Sequence, residues 1–294
     1  MDKPVGVSKI CFGCEALGGV DWGEVNIDAI AEAVDGAIDF GINFFDTADV
    51  YGLGLSESRL SEILGSRRHD VVIATKGGVT WQHSASGGRA TIRRDSSPEH
   101  LSGAVEASLR RLRLERLPVY FIHWPDPNTD IRTTFEFLAK LQDSGKIGFI
   151  GCSNFNAGQV RLACEVADVT LLQLPVNILL EDLEPEMCQV IHDKNIGVVA
   201  YNVLANGLLT GKYGLDARFP KSDRRSRLPL FQGGAYRQAI QQVSEISELA
   251  RTEGLTCAQY SIAKVVRRAD VMSAILGIKN RKQMEENCAF IKQN

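Results

Sequence analysis

The sequence lacks the patterns that would mark a membrane, secreted or nucleic-acid-binding protein. No apolar run approaches membrane length, and no basic segment followed by an apolar one opens the chain, so we expect neither a membrane span nor a signal peptide. Charge of neither sign is in excess, with 33 basic against 36 acidic residues and a net charge of -3. This balance gives no reason to expect a nucleic acid or an anionic membrane as a partner. We therefore expect a cytoplasmic protein.

The cysteines lack the spacing of a disulfide framework or of a metal site. There are seven of them, an odd number, scattered along the chain. Cys11 and Cys14 form one Cys-x-x-Cys pair, but no second pair follows and no Cys/His cluster has zinc spacing, so no metal site is predicted. We favour the interpretation that the cysteines are reduced thiols of a protein in a reducing compartment. A redox role for the single pair stays open as the alternative.

Strand-like and helix-like segments alternate along almost the whole chain. Counting an opening strand at 8–12, the apolar runs lie at 42–45, 71–75, 119–122, 147–151, 169–173, 197–201 and 272–276. The helical patterns lie at 26–40, 56–64, 97–114, 130–143, 157–166, 184–194, 236–251, 257–268 and 281–292. Eight strands alternating with helices predict an α/β fold, a (β/α)8 TIM barrel that forms a single domain over residues 1–294.

Two further features refine this prediction. An open, doubly wound sheet is the alternative architecture, but no Gly-x-Gly-x-x-Gly follows the first strand, which disfavours it. The segment 202–234 is rich in Gly, Arg and Asp and has little periodicity. We therefore predict a long functional loop there.

Six of the predicted strands lead into polar residues that their apolar runs do not explain. These residues are Asp46, Lys76, His123, Ser153 with Asn154, Gln173 and Tyr201, and Tyr51 follows Asp46 by five positions. In a barrel the C-terminal ends of the strands surround the active site. The six ends therefore predict one pocket.

The first three of these ends suit proton transfer at a carbonyl oxygen. Tyr51 is the candidate acid, and we expect the cation of Lys76 to lower its pKa from about 10. Asp46 would hold Lys76 charged, and His123 would hydrogen-bond the same substrate oxygen. Taken singly, each of these residues is more often structural than catalytic. The sequence has no nucleophile motif that would indicate acyl transfer.

Several longer motifs give the chain a family resemblance. Four stretches carry it: Phe44-Phe45-Asp46-Thr47-Ala48-Asp49-Val50-Tyr51-Gly52, Ala74-Thr75-Lys76, Ile122-His123-Trp124-Pro125 and Gly151-Cys152-Ser153-Asn154-Phe155. In this order they resemble the aldo-keto reductase superfamily over nearly the full length of the chain. The resemblance implies that Asp46, Tyr51, Lys76 and His123 are the catalytic tetrad.

The same resemblance implies an NADP(H) cofactor bound across the barrel mouth, with NAD(H) open as the alternative. It matches Ser153, Asn154 and Gln173 to the residues that hold the nicotinamide carboxamide, and Tyr201 to the ring that stacks on the nicotinamide. The residues it matches to the phosphate and adenosine contacts are Leu204, Gly207, Lys212, Gly277, Gln283, Glu286 and Asn287. Lys279 also has a physical argument, because a cation before a helix start suits a 2′-phosphate. Arg218 is a further candidate for a phosphate contact.

Three side chains are predicted around the substrate. Trp22 and Trp124 are candidate pocket walls, and Asp49 is expected to give the pocket a polar rim. The predicted activity is reduction of an aldehyde or ketone to an alcohol, reversible, on a small-molecule substrate. A cofactor-sensing regulatory subunit of the same fold is the alternative from another class, and a biosynthetic reductase acting on a sugar or a nucleotide-linked ketone is a third. The sequence specifies neither the substrate nor the oligomeric state.

Overall fold

The computed structural model describes residues 6–22, 24–82, 90–180 and 182–293. The strands are β1 (Ile10–Gly13), β2 (Phe44–Asp46), β3 (Val72–Gly77), β4 (Val79–Gln82), β5 (Thr91–Arg94), β6 (Leu117–Ile122), β7 (Ile147–Ser153), β8 (Val169–Pro175), β9 (Gly197–Tyr201) and β10 (Val271–Gly277). The α-helices are α1 (Ile27–Phe40), α2 (Leu55–Leu64), α3 (Pro98–Leu112), α4 (Ile131–Asp143), α5 (Ala157–Ala163), α6 (Pro185–Asp193), α7 (Gly233–Thr252), α8 (Cys257–Val266) and α9 (Arg281–Cys288).

Eight of the strands form a closed parallel barrel, which confirms the predicted fold. Their order is β1-β10-β9-β8-β7-β6-β3-β2. The first strand closes the ring, because Phe12 of β1 aligns with Phe45 of β2 on one side and with Leu276 of β10 on the other. Every neighbouring pair is parallel, so all C-terminal strand ends open on one face.

Side chains alternate between the barrel interior and the layer under the helices. In β6, Val119 and Phe121 belong to a small buried cluster with Phe44 and Leu171, whereas Tyr120 packs in the large cluster that reaches the helices. This period of two is what a strand buried on both faces requires. It explains why the strands read as continuous apolar runs.

The helix ends follow local signals in the sequence. Asn26 accepts a hydrogen bond from the Ala29 amide to start α1, and Gly41 ends it at a φ of 95°. Ser97 caps α3 in the same way ahead of a proline. The last helix is shorter than predicted, since α9 gives way to a 3-10 turn at Ala289–Gln293.

Two regions differ from a minimal barrel. Strands β4 and β5 form an antiparallel hairpin after β3, which the sequence did not predict. The connection between β9 and α7 spans 202–232, within the loop predicted at 202–234, and makes three 3-10 turns before α7 begins. Among the helices of the described residues, none has the length and hydropathy needed to cross a bilayer.

Candidate active site

The closed barrel brings the predicted polar residues to one mouth. Asp46, Ser153 and Tyr201 are the last residues of β2, β7 and β9. Lys76 lies one residue before the end of β3, and His123 follows β6 directly. The site is therefore assembled from strands that are distant in sequence but adjacent in the ring.

Lys76 and Asp46 form a buried ion pair at the centre of this mouth. Lys76 Nζ donates to Asp46 Oδ1 at 2.6 Å and to the carbonyl oxygen of Thr47 at 2.8 Å. Gln173 Nε2 donates to Asp46 Oδ2 at 2.5 Å. Burial of two charges is costly unless they are paired and hydrogen-bonded, and here both oxygens of the carboxylate have a donor. The Lys76 side chain is thus fixed in position beside the carboxylate.

Tyr51 lies beside this pair with its phenol half-buried. Lys76 Nζ donates to Tyr51 Oη at 3.4 Å and lies 5.0 Å from the centroid of the ring. The expected lowering of the Tyr51 pKa is wrong: burial, and then the carboxylates of Glu15 and Asp46, raise this pKa well above its ordinary value. The physical reason is that burial of the phenol disfavours the phenolate, and the nearby carboxylates disfavour it further. Tyr51 therefore holds its proton at neutral pH.

His123 is buried against two aromatic rings. Its ring meets Tyr51 edge-on at 5.7 Å between centroids and stacks on Trp124 at 3.7 Å. Burial, helped by the charge of Lys76, lowers the pKa of His123 well below its ordinary value, so the imidazole is neutral. Its Nδ1 is buried and has no hydrogen-bond partner within the described part of the chain. A neutral ring here can donate to or accept from one substrate oxygen.

Asn154 links the histidine to the predicted nicotinamide wall. Its Nδ2 donates to the carbonyl oxygen of His123 at 2.9 Å, and its Oδ1 accepts from Tyr201 Oη at 2.7 Å. Ser153 Oγ lies 3.1 Å from the same Nδ2. The Tyr201 ring is thereby fixed at the edge of the mouth, where a flat ring could stack on it.

The predicted phosphate-binding side of the mouth carries clustered cations. Lys279 Nζ donates to the carbonyl oxygen of Trp22 at 2.7 Å. Burial, and then the charge of Arg225, lower the pKa of Lys279, and Lys212 acts in the same direction. Asp223 binds Arg225 through Oδ1 at 2.9 Å. Because neighbouring cations lower the pKa of Lys279, an anion here would stabilise its charged form, so this cluster fits a phosphate group.

The turn predicted to bind phosphate lies beside this cluster. The 3-10 segment Ala205–Thr210 turns through Asn206 and Gly207, whose φ values are 55° and 89°. Gly207 has no atom closer than 3.7 Å to the position of an added Cβ. Leu204 precedes this turn and Lys212 follows it. The amides of Asn206 and Gly207 already donate within the loop, to Asn202 Oδ1 at 2.9 Å and to the carbonyl oxygen of Leu204 at 2.8 Å, so neither is free for a phosphate oxygen.

The other predicted cofactor residues lie around α9, with one exception. Gln283 Oε1 accepts from the Lys279 amide at 3.0 Å, which orders the turn after β10. Gly277 ends β10, Glu286 is exposed 3.7 Å from Lys282, and Asn287 is half-buried. Arg218 is exposed and donates to the neighbouring carbonyl of Ala217. Among the described residues it makes no hydrogen bond or ion pair with the rest of this set.

The structure changes the reading of Asp49 and of the Cys-x-x-Cys pair. Asp49 does not line the pocket rim but is 1% exposed, next to Gly77 and Tyr120. Burial and the neighbouring Glu57 raise its pKa well above the ordinary value.

Cys11 and Cys14 are both buried, and burial raises the pKa of each thiol well above its usual range. These thiols stay protonated, which argues against a redox role.

Two residues at the mouth were missed by the sequence reasoning. Glu15, in the turn after β1, pairs with Arg224 of the long loop, with Oε1 and Nη1 2.8 Å apart. The guanidinium of Arg224 lies 5.4 Å from the centroid of the Trp22 ring, which places this predicted pocket wall beside the pair. Glu15 lies two residues beyond the end of β1, further than the other polar residues lie from their strands, so the signal of a polar strand end did not mark it.

Comparison with known proteins finds a matching family and similar chains. The family model described as "Aldo/keto reductase family" matches residues 9–294. Aldo-keto reductase YhdN of Bacillus subtilis (strain 168) is 30% identical over 287 residues, which cover 97% of this chain and 85% of that protein. Aldo-keto reductase yakc of Schizosaccharomyces pombe, whose name specifies NADP(+), is 29% identical over 291 residues, covering 97% and 84%. The glycerol dehydrogenase AKR11B4 from Gluconobacter oxydans superposes with a TM-score of 0.88 at 34% identity, covering 97% and 86% of the two chains.

Proposed function

The chain belongs to the aldo/keto reductase family, and we propose that it uses NADP(H) to reduce a small aldehyde or ketone to an alcohol, and catalyses the reverse reaction. The nicotinamide supplies or accepts the hydride when bound. The observation that carries the proposal is the contact between Tyr51 and the Lys76–Asp46 pair, with Lys76 Nζ 3.4 Å from Tyr51 Oη. This arrangement supplies the proton that carbonyl reduction needs.

Tyr51 donates the proton to the carbonyl oxygen. Its raised pKa keeps the phenol protonated, and Lys76 donates into the phenol oxygen, so the phenol hydrogen is free to point at a substrate. As the proton leaves, the ammonium of Lys76 stabilises the phenolate that forms. Asp46 keeps that ammonium in place.

His123 orients the carbonyl. Its neutral ring lies edge-on to Tyr51, so both groups can hydrogen-bond one oxygen. Trp124 stacks on the imidazole and limits its rotation. We assign these two residues to substrate positioning and Tyr51 to the proton transfer itself.

The cofactor assignment rests on the cations near the long loop. Tyr201 and Asn154 would hold the nicotinamide end, and Lys279, Arg225 and Lys212 the phosphates. Three cations in this cluster against the single carboxylate of Asp223 favour NADP(H), with its additional 2′-phosphate, over NAD(H). The name of the Schizosaccharomyces pombe relative supports the same choice.

A steady-state assay tests the proposal. Purified protein would be given NADPH or NADH with a panel of aldehydes and ketones, including glyceraldehyde because one relative is a glycerol dehydrogenase. We expect NADPH oxidation with at least one carbonyl and none with Tyr51→Phe. Cofactor binding without turnover across the whole panel would instead support a cofactor-sensing subunit.

A further inference from the structure

Two adjacent residues near the start of α2, Ser56 and Glu57, lie buried behind the proposed catalytic residues. Both are 0% exposed, although one side chain is a hydroxyl and the other a carboxyl group. Groups of this kind are buried at a cost unless hydrogen bonds satisfy them. The partners of these two side chains therefore indicate why they are there.

Glu57 holds the strand that carries Lys76. Thr75 Oγ1 donates to Glu57 Oε1 at 2.6 Å, and Thr75 directly precedes Lys76 in β3. Side chains alternate along a strand: Ile73 packs in the cluster that reaches the helices, whereas Ala74 packs in the small cluster inside the barrel. Thr75 therefore faces the helices, and its bond to Glu57 fixes the backbone of β3 one residue before the lysine.

Arg111 of α3 completes the surroundings of Glu57. Its Nε donates to Glu57 Oε2 at 2.6 Å, so both oxygens of the carboxylate have a donor. The stem of Arg111 packs on Gly54, where an added Cβ would lie 2.8 Å from Arg111 Cδ and where φ is 95°. This close approach and this conformation both require glycine. The start of α2 is thus held between α3 and β3.

Ser56 holds the other side of the same centre. Its Oγ donates to the carbonyl oxygen of Cys14 at 2.8 Å. A hydroxyl group has a single hydrogen, so in the 2.8 Å contact between Ser56 Oγ and Thr47 Oγ1 the donor is Thr47. The carbonyl oxygen of Thr47 in turn accepts from Lys76 Nζ at 2.8 Å. Ser56 therefore fixes one of the groups that hold the ammonium.

The same helix end also holds the turn that carries Tyr51. The Ser56 amide donates to the carbonyl oxygen of Tyr51 at 3.1 Å, and the amide of Asp49, within the turn, donates to the carbonyl oxygen of Lys76 at 3.2 Å. Lys76 Nζ and Tyr51 Oη are 3.4 Å apart, which is long for a hydrogen bond. A small displacement of β3 against the turn would therefore break this contact.

We propose that Glu57 and Ser56 are positioning residues, which set the contact between the proposed acid and its lysine from behind the pocket. Glu57 acts through Thr75 on the strand that carries the ammonium. Ser56 acts through Thr47 on a carbonyl oxygen that accepts from that ammonium. Loss of either side-chain contact should slow the proton transfer and leave cofactor binding in place. This inference rests on the proposed carbonyl reduction and adds the groups that maintain its geometry.

Variants of Thr75 test the link from Glu57 to the lysine. Thr75→Val keeps the shape of the side chain but removes the hydroxyl group, whereas Thr75→Ser keeps the hydroxyl group. Thr170→Val is the matched control, because Thr170 is also buried and donates to the carbonyl oxygen of Ile150 at 3.3 Å. Thr170 is the second residue of β8, so it lies near the end of the barrel opposite the mouth.

The rate of a single turnover separates the chemical step from product release. With NADPH and the carbonyl compound that the wild type reduces fastest, we expect this rate to fall about 10- to 100-fold in Thr75→Val. It should stay near the wild-type value in Thr75→Ser and Thr170→Val. The dissociation constant for NADPH, measured by fluorescence titration, should change little in all three variants.

Ser56→Ala tests the second contact and is the smaller change, so it carries the test even where Thr75→Val folds poorly. Ser58→Ala is its control, because Ser58 Oγ donates to the carbonyl oxygen of Gly54 at 3.2 Å on the same helix. We expect a slower single turnover in Ser56→Ala and an unchanged rate in Ser58→Ala.

A pH profile distinguishes positioning from a general loss of folded protein. A more distant ammonium stabilises the phenolate of Tyr51 less, which raises the pKa of this phenol. The pH profile of alcohol oxidation should therefore shift to higher pH in Thr75→Val and Ser56→Ala. It should stay in place in Thr170→Val and Ser58→Ala, because a smaller amount of active protein lowers the profile without moving it.

Three results would overturn the inference and leave carbonyl reduction intact. The first is a wild-type single-turnover rate in folded Thr75→Val and Ser56→Ala. The second is an equal loss of rate in Thr75→Ser and Thr75→Val, which would assign the effect to packing and not to the hydroxyl group. The third is a slower rate with an unmoved pH profile. Absence of turnover by the wild type with every carbonyl compound would instead contradict the proposed function, and the inference with it.

Discussion

Lys76 and Asp46, 30 positions apart in the chain, form an ion pair of 2.6 Å in which the two side chains are only 2% and 5% exposed. On one side of the pair Lys76 contacts Tyr51, and on the other side Gln173 contacts Asp46. A buried pair of this kind contributes little net stability but becomes costly when one member is removed. It therefore couples the chemistry of the mouth to the stability of the barrel.

This coupling predicts a large non-additivity on mutation. Asp46→Leu should lower the free energy of unfolding by about 3–5 kcal/mol, because it leaves the ammonium of Lys76 buried without a counter-ion. The double variant Asp46→Leu/Lys76→Met should lose much less than the two single variants together. Urea unfolding of the four proteins measures this. Additive losses would show that the pair is not coupled as its geometry indicates.

Replacement of the proposed acid should separate binding from turnover. Tyr51→Phe removes the phenol hydrogen and keeps the ring that packs against His123. We expect kcat to fall about 10²–10⁴-fold, while the dissociation constant for NADPH, measured by fluorescence titration, changes little. Tyr260→Phe is a control, since that phenol lies in α8, where Lys264 Nζ is 4.7 Å from the centroid of its ring. Full activity of Tyr51→Phe would contradict the mechanism.

The neutral state of His123 predicts how stability depends on pH. Its folded-state pKa is depressed, so its contribution is fully present above its unfolded pKa of about 6.5 and is lost as pH falls toward the folded value. The free energy of unfolding should therefore decrease on acidification below about pH 6.5. In His123→Gln the decrease should be smaller. Equal acid sensitivity of the two proteins would show that His123 is charged in the folded state.

Gly77, next to Lys76, makes a steric prediction. A Cβ at this position would lie 1.9 Å from Tyr120 Oη, a buried hydroxyl that has no hydrogen-bond partner among the described residues. Gly77→Ala should cost about 1–3 kcal/mol of unfolding free energy. Tyr120→Phe removes the clashing oxygen, so the double variant should recover part of that loss. Thermal melts of the three variants would measure this, and no recovery would place the strain elsewhere.

Charge at Lys279 should decide between the two nicotinamide cofactors. Lys279→Met removes a cation from the cluster with Arg225 and Lys212, so KM for NADPH should rise at least about tenfold and KM for NADH little. Lys264→Met is the matched control, because that lysine is exposed on α8 and lies 3.8 Å from Glu253, away from the predicted cofactor residues. Parallel increases for both cofactors would show that Lys279 does not contact the 2′-phosphate.

Much of the fold could be predicted because its signals are local. A buried parallel strand is a short apolar run, and the ends of α1 and α3 are marked by Asn26, Gly41 and Ser97, whose caps form within a few residues. The hairpin of β4 and β5 was missed because β5, Thr91–Arg94, is exposed throughout and ends in two arginines. An exposed strand has no hydrophobic period to detect.

The composition of the proposed catalytic set could be predicted from the sequence, but its electrostatics could not. Asp46, Lys76 and His123 each follow an apolar run, which sequence alone reveals. The pKa of Tyr51, by contrast, depends on burial and on the charges of Glu15 and Asp46, and it moved in the opposite direction to the expected one.

By itself the sequence determined which residues stand at the strand ends, since that depends on local patterns of apolar and polar residues. Only the tertiary structure decided which of them meet. Glu15 and Arg224 lie 209 positions apart and pair only because the closed ring brings the first loop and the long loop together over one mouth. Electrostatic interactions act through space and not along the chain, so barrel closure set the charge environment in which Tyr51 works.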